Sequence, residues 1–136
     1  MSTVALIQTY IASLASFLLL DFIWLGFVAR GFYRDQLGDL MAAEVRWLPA
    51  VGFYLLFVGA VMVFAVLPAV ARGSLLRAVM LGGFFGVVAY ATYDLTNLAT
   101  LRGFPTIVAA VDMAWGGILT ASVATVGYLV ASRVGA

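Results

Sequence analysis

The chain has no cysteine, no histidine and no lysine. Without cysteine there is neither a disulfide framework nor a thiolate nucleophile. With histidine missing too, an ordinary zinc site has no ligands and the commonest general base is gone. Charge is scarce: seven basic residues, all arginine, and six acidic ones in 136 residues, or 10%. A soluble domain carries about a quarter charged residues. Nucleic-acid binding needs a clustered basic face, so no such partner is expected. What the chain has instead is apolar residues, 65% of the total. That composition excludes both a disordered chain and an ordinary soluble globule.

The few charges divide the chain into apolar runs. The first covers about residues 4–28 and holds only Asp21; the second, about 47–71, has no charge. The third, about 78–101, holds only Asp94, and the fourth, about 106–132, only Asp112. Each is long enough to cross the hydrocarbon core, which takes about 20 residues. None alternates as barrel strands do, and lipid offers no partner for an open backbone. The expectation is an all-α polytopic membrane protein, one domain over residues 1–136, built as a bundle of four transmembrane helices. No basic residue precedes the first run, and it is too long for a signal h-region, so it reads as a retained anchor.

Between the first two runs lies RGFYRDQLGDLMAAEVR, Arg30 to Arg46. Phe32, Tyr33, Leu37, Leu40 and Met41 share one side at helical spacing, which suits an amphipathic turn or two on the membrane surface. Asp39 could cap its second half; an irregular solvated loop is the alternative. Trp24, Trp47, Tyr33 and Phe104 suit an aromatic interface belt. The other connections are short, and Pro105 suits the start of helix four. Arg72, Arg77 and Arg133 fall on one side of the membrane, and Arg30, Arg34, Arg46 and Arg102 on the other. Such even arginine counts give a weak orientation; we place both termini on the cytoplasmic side.

DFIWLGFVARGF, from Asp21, matches DLTNLATLRGF, from Asp94, with one gap. That pairing would make two parallel helical-hairpin repeats, a transporter pattern; chance likeness between helix ends is the alternative. GGFFG in helix three reads as packing, since Gly82 and Gly86 have GxxxG spacing. Ala109, Asp112, Gly116, Thr120 and Ala124 form a small-residue stripe on helix four.

The acids carry the strongest functional signal. Asp21 and Asp94 each lie seven residues before a helix end, and Asp112 six after a helix start. At about 1.5 Å per residue, all three sit about 9–10 Å below the same membrane face. Tyr54 lies at that level in helix two. Trp24, Asn97 and Trp115 follow Asp21, Asp94 and Asp112 by three residues and so share their faces. Tyr90 and Tyr93 flank Asp94. A carboxylate in the bilayer costs at least about 2.5–3.5 kcal/mol, so these acids must be protonated, paired or hydrated. Arg102 ends helix three, and its long side chain leads to an expected contact with Asp112. Asp21 and Asp94 are then the expected proton carriers. The same residues could instead form a structural clasp.

D-x-x-W-L-G from Asp21, P-A-x-x-F-Y (Pro49, Ala50, Phe53, Tyr54), YATYDLTNLATL (Tyr90 to Leu101) and D-x-x-W-G (Asp112, Trp115, Gly116) resemble a bacterial membrane family. It is the domain of unknown function numbered 2177, and the resemblance covers nearly the whole chain. It implies a small multi-pass protein of the bacterial cytoplasmic (inner) membrane with no assigned activity. The resemblance also implies a gene neighbourhood that often concerns lipid modification and photo-oxidative stress, which is an association and not a mechanism.

The candidate site is therefore the polar layer of Asp21, Trp24, Tyr54, Tyr90, Tyr93, Asp94, Asn97, Arg102, Asp112 and Trp115. Proton or cation handling is the first functional expectation, with a homodimer to complete a pathway. A lipid-binding or lipid-modification accessory and a structural partner of another membrane protein are the alternatives. No metal or cofactor is expected, and membrane lipid is the expected surroundings and partner. Lacking His, Cys and Lys, an accessory or binding role is favoured over an enzyme.

Overall fold

The computed structural model describes residues 1–135. Four helices are long and apolar enough to cross a membrane: Thr3–Val28, Trp47–Ala71, Leu75–Thr100 and Thr106–Val134. No strand occurs among the described residues. The protein is a helical membrane bundle, as a backbone that must satisfy itself in lipid requires.

Local chemistry sets the helix ends. The Ser2 hydroxyl accepts from the Ala5 N–H and the Ser74 hydroxyl from the Arg77 N–H, both at 3.1 Å. Each covers an amide that has no partner within its own helix. Because Ser74 caps it, the third span begins at Leu75 and takes Arg77 into its first turn. Gly73 and Gly103 adopt φ of +58° and +77°, a left-handed conformation that glycine reaches without strain. That freedom keeps the last two connections short.

Two spans widen locally into π-helix, at Trp24–Val28 and Met62–Val66. The second has an evident cause. Pro68 follows it, lacks an N–H, and its ring would strike the carbonyl one turn back in a regular α-helix. A wide turn absorbs that conflict.

The fourth span is the hub of the bundle, packing most extensively on the third span, then on the first, and also on the second. The first and third spans meet mainly through the other two. Glycine brings the third and fourth spans together. A Cβ on Gly86 would lie 2.1 Å from the Gly116 carbonyl oxygen, and one on Gly82 2.7 Å from the Ala124 Cβ. The GxxxG pair thus does what its spacing predicts. Close packing matters more here than apolar burial, because lipid tails are as apolar as leucine. Phe17, Val58, Val61, Val66, Leu119 and Val123 fill the centre and are fully buried.

The first loop forms the expected helical turns and folds back on the bundle. Phe32–Leu37 is helical and Gly38–Leu40 a 3-10 turn. Phe32, Tyr33 and Leu37 pack on Phe104, Val108 and Ala109, at the start of the fourth span, and Leu98 of the third span packs on the same cluster. The loop helix thereby caps that end of the bundle. Gly38 turns the chain at φ +53°, so Leu40 and Met41 leave the packed side and are exposed. Asp39 caps nothing; the 3-10 turn it occupies has no side-chain cap.

Candidate functional site

Beneath the loop helix is a cavity of about 400 Å³. The first span contributes Asp21, Trp24 and Leu25, and the loop helix Tyr33 and Leu37. The second span adds Ala50, Phe53 and Tyr54, the third Tyr90 and Tyr93, and the fourth Val108, Asp112 and Trp115. A second hollow of about 360 Å³ shares Phe53, Tyr90, Tyr93 and Asp112 and reaches Ala89. The space continues between the second and third spans, where Phe53 and Tyr93 are 45% and 56% exposed and form an outer rim.

The polar groups form a connected chain. The Trp24 Nε1–H donates to the Tyr33 hydroxyl at 3.0 Å, and that hydroxyl donates to Asp112 Oδ1 at 2.9 Å. The Trp115 Nε1–H donates to Asp21 Oδ1 at 3.2 Å. The two indoles stack, with centroids 4.5 Å apart and planes 8° from parallel. Such a pair contributes about 0.5–1.5 kcal/mol beyond its burial. The stack joins the first and fourth spans and holds both acid-linked arms in place. Tyr33 lies outside the spans. Burial pushes its hydroxyl above the ordinary tyrosine value of 10.0; the Trp24 hydrogen bond opposes this and the nearby Asp112 charge adds to it. The phenol therefore stays protonated as a donor at neutral pH.

Asp94 stands behind the cavity wall, fully buried. Its carboxyl group is a close neighbour of the Asp112 carboxyl group. Neither of its oxygens has a donor among the described residues. Two carboxyl groups can share a hydrogen bond only with a proton between them; two bare carboxylates repel.

Most of the expected layer comes together. Asp21, Trp24, Tyr54, Tyr90, Tyr93, Asp112 and Trp115 line the cavity, and Asp94 adjoins Asp112. Asn97 is half-buried and lies beside Tyr93 on the third span, outside the lining. Arg102 is exposed, and the donor to Asp112 is Tyr33 in its place. At the membrane–water boundary a guanidinium keeps its hydration by staying out, while a phenol loses little by going in. Trp24 and Tyr33 are cavity walls and not an outer belt; Trp47 is exposed and Phe104 is buried under the loop helix. Sequence reasoning missed Tyr33 and Phe53 as site residues. The helical spacing of Tyr33 with Leu37 was the available signal for the first, and the P-A-x-x-F-Y string for the second.

Tyr90 owes its position to a missing side chain. A Cβ on Gly116 would fall 2.3 Å from the ring's Cγ, so glycine provides the flat seat on which the ring rests. Among the described residues, no group of three acids converges tightly enough to hold a metal ion.

Neither a curated protein nor a solved structure matches the chain. A family model described as a predicted membrane protein, domain of unknown function 2177, matches residues 6–129. The match reaches into all four spans and includes every residue of the cavity wall, so the chain belongs to that family of predicted membrane proteins.

Proposed function

We propose that the protein handles protons or cations within the membrane, at the Asp94–Asp112 pair and the cavity beside it. One observation carries this reading: a fully buried carboxyl group, without a donor among the described residues, facing a second carboxyl group. In a low-dielectric interior such a pair holds a proton or a cation between its members. Tyr33 links Asp112 to the loop helix and Trp24. The Tyr33 hydroxyl is the group that can exchange a proton with Asp112 on the side of the capped membrane face, and the Trp24 indole N–H, which releases no proton, holds that hydroxyl in place. Reconstitution into liposomes containing a pH-reporting dye tests this. A proton or cation gradient should dissipate faster with the protein than without it, and Asp94→Asn should remove at least about 90% of the difference. Equal flux with Asp94→Asn would dismiss the reading.

A second reading, a lipid-binding accessory, draws on the outer rim between the second and third spans. Phe53 and Tyr93 there are exposed and border the cavity. Lipidomics of a deletion strain under oxidative stress tests it; an unchanged profile would count against it.

A further inference from the structure

We infer that the cavity is a binding site for an alkylammonium group carrying an apolar body. This rests on the reading that the cavity handles cations, and it names the class of cation. The lining has two features that seldom occur together. Its acidic members are Asp21 and Asp112, and no arginine is among its lining residues. Its other polar members are indoles and phenols, whose ring faces carry the negative side of a quadrupole. Trp24, Trp115, Tyr33 and Tyr54 line the cavity with the two acids; because the indoles stack on each other, each can offer a ligand only the face turned away from its partner.

An anion would meet carboxylates with no counter-charge. A bare metal ion would find no acidic triad among the described residues. An ammonium fits both features: the carboxylates offset its charge, and the aromatic faces attract it while tolerating its methyl groups. At about 400 Å³, the cavity falls in the range of about 300–1,000 Å³ that small-molecule sites occupy. The second hollow, with its rim at Phe53 and Tyr93, extends the space towards lipid. An apolar body attached to the ammonium would lie there. The ammonium could belong to a free organic amine or to the headgroup of a membrane lipid.

Tryptophan fluorescence can read this site. Trp24 and Trp115 line the cavity, while Trp47, 59% exposed, does not. In the Trp47→Phe full-length chain, held in maltoside micelles, the emission reports the cavity alone. Hexyltrimethylammonium should give a saturable change. Choline, with the same head and a shorter polar tail, should bind at least tenfold more weakly. Hexyl sulfate and 3,3-dimethylbutan-1-ol, the uncharged isostere of choline, should give no saturation. Asp112→Asn should weaken hexyltrimethylammonium at least tenfold; its side-chain oxygen still accepts the Tyr33 hydroxyl, so the loop contact is kept. Saturation by hexyl sulfate, or an isostere as good as choline, overturns the inference without recourse to any variant of the site. So does an Asp112→Asn protein that elutes normally and binds unchanged.

Repeating the titration in nanodiscs identifies the source. A fivefold or greater weakening in phosphatidylethanolamine relative to phosphatidylglycerol supports a lipid headgroup as the natural occupant. Equal affinity supports a free amine. Ammonium binding without proton or cation flux leaves the site standing and removes the transport reading. Asp94-dependent proton flux without ammonium binding removes this inference alone.

Discussion

Tyr33→Phe deletes a single oxygen, and the structure allows its effect to be sized. That hydroxyl donates to Asp112 and accepts from Trp24. A hydrogen bond to a charged group contributes about 1.5–3 kcal/mol, and an abandoned N–H costs about 1 kcal/mol or more when buried. Tyr33 is only half-buried, so water replaces part of both losses. About 2 kcal/mol remains, which corresponds to a roughly 30-fold change in equilibrium. The apolar packing of Phe32, Tyr33 and Leu37 on Phe104 and Val108 is untouched by the substitution. The expected result is therefore a loop helix that docks as before but opens about 10–30-fold more often. Amide hydrogen exchange over residues 32–37 measures that opening directly. Tyr128→Phe, on the last span and outside the cavity lining, is the control and should change nothing. Exchange in Tyr33→Phe within twofold of the parent would refute the reasoning and reduce the Trp24–Tyr33–Asp112 chain to a weak surface contact.

In a spectrophotometric pH titration, the difference between parent and Tyr33→Phe should show tyrosinate forming above the ordinary midpoint of 10.0. The loop contact that the neutral phenol supports is then fully present below pH 10 and lost as the pH rises through the higher folded value. Gly116→Ala drives a methyl into the Tyr90 ring and should destabilise the protein by about 1–3 kcal/mol, read by thermal unfolding in detergent. Arg102→Ala should leave loop exchange and hexyltrimethylammonium binding unaltered, since Tyr33 and not Arg102 is the donor to Asp112. Asp94→Leu should impair assembly or flux more than Asp35→Leu on the exposed loop; equal tolerance in both assays would show that burial of Asp94 has no consequence.

The spans and their polar layer were legible because both depend on short-range regularities. Charges mark helix ends, and counting residues at a fixed rise places Asp21, Tyr54 and Asp112 at one level. Glycine spacing predicted a close helix contact at Gly82 and Gly86, and the partner there is the fourth span. The rest depended on contacts between distant parts of the chain. Tyr33 lies 79 residues from Asp112, and no local pattern says that its loop folds back over the bundle. The expected Arg102–Asp112 contact weighed reach alone and left out the hydration that keeps a guanidinium at the surface. Asp39 looked like a cap because its residue type suits one, yet Gly38 reverses the chain there. The wide turn before Pro68 could have been read from the proline, since a ring in mid-helix must displace a carbonyl.

The central place of the fourth span also bears on how the protein is made. Synthesis delivers that helix after the other three. Trp115, the donor to Asp21, lies on it, as does Asp112, the neighbour of Asp94. Until it inserts, both earlier acids sit in the membrane without the partners they have in the finished bundle, at a cost of about 2.5–3.5 kcal/mol each when charged. Nascent chains that end before Thr106 should therefore be held by insertion machinery or degraded. Arrival of the fourth helix would complete the cavity and supply both partners in a single step.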